Sequence, residues 1–132
     1  MRECGILLPV ASLPSRYGIG AFSKEAYEWI DSLKQAGQSV WQVLPFGPTG
    51  YGDSPYQSFS AFAGNPYFID LEQLIQEGLL TKAECDQADF GDSRRYISYD
   101  RIYEERFPLL KKAYERCLAL WPGIAFLKVD GL

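Results

Sequence analysis

Apolar residues fall into short blocks separated by Gly, Pro and polar clusters, and each block predicts an element. Cys4 to Leu8 is a short, fully apolar run ended by Pro9. That is the pattern of a buried parallel strand. Val10 to Gly20 reads as a loop, punctuated by Pro14, Gly18 and Gly20. Within it Arg16 and Tyr17 can reach a ligand or stay a solvated Arg and a packed Tyr. Phe22, Ala26, Trp29, Ile30, Leu33 and Ala36 then recur at helical spacing and make one apolar face. Ser23 is placed to cap this helix, Glu25 sits at the positive end of its dipole, and Gly37 is its stop. Val40 to Leu44 is a second strand, again ended by proline. Strand, loop, helix, strand is a βαβ unit with parallel strands and a right-handed crossover. In α/β folds, ligand loops lie at the carboxyl ends of the strands.

The second half changes period. Tyr67 to Ile69 is a short apolar run, and Asp70 caps a helix from Leu71 to about Glu77, stopped by Gly78. Thr81 and Glu84 have capping-box spacing and open another short helix. Asp86 to Ser98 is polar and reads as loop. From Tyr99 to about Leu118 the stripe Ile102, Leu109, Leu110, Ala113, Cys117 is helical. Pro108 removes a backbone donor inside it, which predicts a kink or two helices. Trp121-Pro122-Gly123 breaks the pattern, and Ile124 to Leu132 is an apolar tail.

Between the two halves lies the stretch Gly47 to Pro66, with four glycines, three prolines and no Lys, Arg or Glu. Gly and Pro at that density exclude regular structure and predict a shaped loop. Its rings, Tyr51, Tyr56, Phe59 and Phe62, argue against disorder. Rings beside hydroxyls and amides suit sugars, whose C–H faces lie on aromatic rings and whose hydroxyls need donors and acceptors. Ser54, Ser58, Ser60, Gln57 and Asn65 offer uncharged hydrogen bonds, and Asp53 a charge-assisted one. An Ω-loop packed by its own rings fits the composition equally well.

Composition narrows the classes. The chain has 132 residues, 47% apolar and 23% charged, enough for one small domain with a core. A net charge of −4 without a basic cluster makes nucleic acid and anionic membrane poor partners. No apolar run approaches the ~20 residues of a membrane span, and no secretory signal is expected from Met1-Arg2-Glu3 onward. Cys4, Cys85 and Cys117 are odd in number and widely spaced, as reduced thiols of a cytoplasmic protein are. With no histidine, no zinc or other metal site is expected.

Trp41-Gln42-Val43-Leu44-Pro45, then Gly47-Pro48-Thr49-Gly50-Tyr51-Gly52-Asp53-Ser54-Pro55-Tyr56-Gln57-Ser58, then Ser60-Ala61-Phe62-Ala63-Gly64-Asn65-Pro66 form one long ordered signature. With Gly5-Ile6-Leu7-Leu8-Pro9, Ser12-Leu13-Pro14-Ser15 and Tyr17-Gly18-Ile19-Gly20 upstream, it resembles the 4-alpha-glucanotransferases of glycoside hydrolase family 77, also called amylomaltases or disproportionating enzymes. The likeness runs from about Gly5 to about Asp70, with a weaker echo to about Ala113.

The resemblance implies an α/β fold, the N-terminal part of a (β/α)8 TIM barrel, with a helical insertion after the second strand. It divides the chain into residues 1–70, the first βαβ unit and glucan loop, 71–120, the insertion, and 121–132, an unmatched tail. It implies transfer of α-1,4-glucan segments between maltooligosaccharides or starch-like glucans with retention of configuration. That chemistry needs two carboxyl groups about 5–5.5 Å apart. In the family they stand on later strands, so no catalytic residue is expected here and the chain supplies substrate-binding surface only. Tyr56 and Ser54 are similar to residues lining subsites beside the catalytic centre. Tyr51 is similar to a ring of a secondary glucan site, with Tyr103 as its partner from the insertion. Asp53 joins them as the loop's one charge, and Asn65 as an amide that holds the loop's shape. No cofactor is implied. The partners implied are maltooligosaccharides, α-1,4-glucans and the rest of the chain's own barrel, in the cytoplasm. The alternative is a free-standing, non-catalytic carbohydrate-binding module using the same loop.

Overall fold

The structure, a computed structural model, describes residues 2–91, 93 and 95–121. The tail expected over 124–132, and the break past Trp121, lie outside the described residues. Two short strands, β1 (Gly5–Leu7) and β2 (Val40–Gln42), flank the helix α1 (Lys24–Gln35). Three helices follow the long loop: α2 (Leu71–Gln76), α3 (Lys82–Gln87) and α4 (Tyr99–Leu120). The strands pair in parallel, with Gly5 opposite Val40, Ile6 opposite Trp41 and Leu7 opposite Gln42. Leu8 N–H extends the ladder to Gln42 O at 3.0 Å.

The strands are not buried, contrary to their apolar composition. Ile6 is 40% and Leu7 54% exposed. Among the described residues two strands form the sheet, so each has one edge that no described strand pairs, and apolar sequence is buried only where a neighbour covers it. The helix α1 also buries less than its periodicity predicts. Ala26 and Leu33 are buried and Trp29 half-buried, but Phe22, Ile30 and Ala36 stay exposed. Ser23 occupies the N-cap position but makes no side-chain cap bond, and its hydroxyl donates to the Glu25 carboxylate. Gly37 ends the helix at φ +72°, a left-handed turn suited to glycine.

Two cores result. The smaller joins Val10, Leu13 and Ala26 to Trp29, Trp41 and Val43. Trp41 belongs to it, its Nε1–H donating to Leu8 O at 2.8 Å. The larger lies among the helices and draws in Tyr17 and Ile19 from the segment between β1 and α1. That segment is therefore more than solvent-exposed loop: Val10–Ser12 forms a 3-10 turn, and Val10, Leu13, Tyr17 and Ile19 are buried. Arg16 pairs with Asp86 at 3.1 Å across the surface.

On the helical side, Asp70 Oδ1 accepts from Glu72 N–H at 3.0 Å and caps α2. Thr81 and Glu84 complete a reciprocal capping box on α3. Arg116 of α4 grips Glu84 with both terminal nitrogens, at 2.8 and 2.7 Å. The helix α4 runs unbroken from Tyr99 to Leu120 through Pro108, where the sequence predicts a kink or a division into two helices. Pro108 is exposed while Ile102, Leu109 and Ala113 are buried, so packing of that stripe outweighs one missing backbone donor.

Candidate functional site

The Gly47–Pro66 loop springs from the carboxyl end of β2 and is closed at its base. Asn65 N–H donates to Phe46 O at 2.8 Å, joining the two ends. The Asn65 side-chain oxygen accepts from Tyr67 N–H at 2.9 Å and caps the 3-10 turn Pro66–Phe68. Phe22, Phe46 and Phe68 meet edge-to-face around this base, with centroids 5.2 to 6.1 Å apart. Above it, Thr49 and Ser58 form a single antiparallel bridge. Gly47 is required there, because a Cβ at that position would lie 2.2 Å from Ser58 Oγ. Ser58 Oγ donates to Ser60 O at 2.7 Å, and Ser60 Oγ accepts from Ala63 N–H at 3.1 Å. These short-range bonds fix the backbone without any ring.

The rings are left outside. Tyr51, Tyr56, Phe59 and Phe62 are all exposed, so the loop is not packed by its own aromatics. Between them Asp53 adopts φ +52°, uncommon for a residue with a Cβ, and its carboxylate accepts from the Thr49 hydroxyl at 3.3 Å. Asp53 and Asn65 line a cavity of about 190 Å³ with Thr49, Pro55, Tyr67 and Tyr99. Ser54, half-buried, and Tyr51 and Tyr56, exposed, are not part of that lining.

Tyr103 stands apart on α4. It is exposed, and its ring lies 5.0 Å from that of Phe107. Phe107 in turn meets Tyr67 at 5.9 Å, and Tyr67 meets Tyr99 at 6.1 Å. A row of rings thus runs from Tyr103 to the cavity. Among the described residues no ring contact joins Tyr51 to Tyr103.

Burial pushes the Tyr67 phenol up to about 12, with Asp53, Tyr103 and Tyr99 adding to the shift. Tyr99 is raised by burial and then by Asp53. Both phenols therefore remain protonated donors at neutral pH. The lining offers a carboxylate acceptor, an amide, the hydroxyls of Ser12 and Thr49 and two phenols, a set that suits a polyhydroxylated ligand. Asp53 is the one acid among the described lining residues, so the cavity holds no carboxylate pair.

Sequence reasoning missed Thr49, Tyr67 and Tyr99 in the lining, and it missed Arg106. Arg106 is 1% exposed, inside the apolar stripe of α4. Its spacing from Ile102 and Leu109, four and three residues, was the available signal: a cation on the buried face of a helix.

The sequence profile of the 4-alpha-glucanotransferases, glycoside hydrolase family 77, matches residues 8–120. The chain belongs to that family. It is 55% identical over 105 residues to a 4-alpha-glucanotransferase of Clostridium butyricum, covering 80% of this chain and 22% of the relative. Over 113 residues it is 49% identical to the 4-alpha-glucanotransferase of Thermus thermophilus, covering 86% of this chain and 22% of that one. Among solved structures, an amylomaltase from Streptococcus agalactiae in complex with acarbose superposes with a TM-score of 0.84 at 43% identity. That alignment takes in 87% of this chain and 23% of the amylomaltase. This glucanotransferase-family chain therefore spans less than a quarter of the length of these relatives, and its mixed α/β fold matches one part of theirs.

Proposed function

We propose that this chain forms the N-terminal part of a (β/α)8 TIM barrel that transfers α-1,4-glucan segments between maltooligosaccharides. Residues 1–70 supply the first βαβ unit and the glucan loop, and residues 71–120 the helical insertion. Tyr51, Asp53, Ser54, Tyr56, Asn65 and Tyr103 are its sugar-facing set, with Asn65 acting through the loop's shape. The reacting carboxylates come from the remainder of the barrel, so the chain alone binds without catalysing. The observation that carries this reading is the loop itself: its base is locked by hydrogen bonds while its four rings point into solvent. Apolar rings held out on a fixed loop are a surface waiting for a ligand with apolar faces. The family's solved amylomaltase with acarbose, an oligosaccharide mimic, supports the same ligand class.

The test is a chimera. The matched segment of the Clostridium butyricum relative is replaced by this chain, and transfer from maltotriose is followed. Glucose and longer maltodextrins are expected from the chimera and not from the 132-residue chain alone. A folded chimera without transfer activity counts against the assignment. Transfer by the chain alone contradicts the division of labour. Binding of maltoheptaose by the chain, with no activity in the chimera, favours the carbohydrate-binding module instead.

A further inference from the structure

The buried cation Arg106 has no place in the site as described, yet its position costs stability. Burial lowers its pKa to about 10, with Asp70 acting only at range. None of the ion pairs among the described residues includes it. Instead its guanidinium donates to two backbone carbonyls. Nη1 reaches Tyr17 O at 3.5 Å, and Nη2 bonds Ile69 O. Among the described residues Nε has no hydrogen-bond partner. A buried charge without a counter-ion carries a desolvation cost that an apolar side chain of similar volume does not.

What the two carbonyls have in common is their place. Tyr17 lies in the segment between β1 and α1, and Ile69 follows the 3-10 turn that Asn65 caps at the base of the Gly47–Pro66 loop. The same two segments are tied together by Phe22 N–H to Phe68 O at 3.2 Å. A planar guanidinium holds two acceptors in fixed relation, which neither lysine nor an apolar side chain can do.

We propose that Arg106 is a positioning residue: it clamps the base of the glucan loop to the β1–α1 segment from inside α4, and so fixes the loop's rings for sugar. The role in sugar binding rests on the reading given under Proposed function. The clamp itself stands on the two carbonyl contacts.

The experiment compares the 132-residue chain with its Arg106→Met and Arg106→Lys variants. Three quantities are read: the thermal midpoint, amide hydrogen exchange by segment, and maltoheptaose binding. For Arg106→Met the midpoint is expected to hold or rise. Amides of residues 17–22 and 65–70 are expected to exchange roughly tenfold faster or more, the scale of losing a charge-assisted hydrogen bond. Amides of α3 and the second half of α4 keep their protection. Maltoheptaose binding weakens by about tenfold, an effect of similar size. Arg106→Lys, which can serve one carbonyl, falls between. A lowered midpoint with uniformly faster exchange, or failure of both variants to fold, makes Arg106 an ordinary core residue and overturns the proposal. So does unchanged exchange in the two segments, or faster exchange with sugar binding intact. If the wild-type chain does not bind maltoheptaose, the glucan reading of the loop fails, and the segmental exchange still decides the clamp.

Discussion

Two tyrosines on one loop are exposed to different degrees, and the proposed function assigns them different tasks. Tyr56 follows Pro55, which lines the cavity, and is 74% exposed. Tyr51 stands fully in solvent, next to Gly52 at φ +94°. In the active chimera, Tyr56→Ala is expected to lower kcat/KM on maltotriose by roughly tenfold, because a stacked ring adds about 0.5–1.5 kcal/mol beyond its area. Tyr51→Ala is expected to leave maltotriose transfer nearly unchanged and to alter the handling of amylose, since only a long chain gains effective concentration from a second site. Initial transfer rates on both substrates decide it, and equal losses for Tyr51→Ala place that ring in the main cleft. Asn65 belongs to a third class. Its oxygen is engaged by Tyr67 N–H, so Asn65→Ala removes a cap worth about 1 kcal/mol, while Asn65→Asp keeps the acceptor. Thermal melts of the two variants should differ accordingly, and equal midpoints would show that the cap contributes nothing.

The joint of α3 with α4 is expected to be acid-sensitive. Arg116 hydrogen-bonds Glu84, and the Thr81 backbone and hydroxyl add to the effect, so the Glu84 carboxyl is held well below the usual carboxylate range. A carboxyl whose folded pKa is depressed contributes stability above its unfolded pKa, about 4.5, and loses it as pH falls toward the folded value. The wild-type midpoint should therefore drop more steeply than that of Glu84→Gln between pH 5 and pH 3, with the variant the less stable at pH 7. Parallel curves for the two proteins would dissociate Glu84 from acid stability. This element was legible in advance, because Thr81-x-x-Glu84 is a local signal that carries its own hydrogen bonds. So were the stops at Gly37 and Gly78, both at positive φ. Other features were not local. The continuity of α4 through Pro108 depends on what Ile102, Leu109 and Ala113 pack against, and Ser23, whose hydroxyl donates to Glu25, makes no side-chain cap bond. Arg106 was hidden for the same reason: a stripe read for its apolar members passes over the cation between them.

At the scale of the whole molecule, sequence and structure disagree most where the chain meets nothing. The runs Cys4–Leu8 and Val40–Leu44 have the composition of strands covered on both faces, yet Ile6, Leu7 and Val40 are exposed, and among the described residues each strand has one edge without a paired strand. Composition records the environment a strand is suited to, and most of that environment is not found among the described residues of a chain that covers less than a quarter of its relatives. Free edges flanked by apolar side chains pair readily with other strands. On the same unit, Phe22, Tyr27 and Ile30 add exposed apolar surface around α1. A net charge of −4 opposes association only weakly, since at physiological salt its field decays within about 8 Å. The isolated chain is therefore expected to associate as its concentration rises, or to melt broadly at low temperature. Leu7→Lys, a charge placed on the open strand, should shift the chain toward monomer without changing its helical content, because lysine on an edge blocks strand addition. Light scattering across a concentration series, with far-ultraviolet circular dichroism on the same samples, measures both. A monodisperse wild-type monomer with a sharp cooperative transition would mean that the two-stranded unit needs no further strands, and would favour a free-standing module over a piece of a barrel.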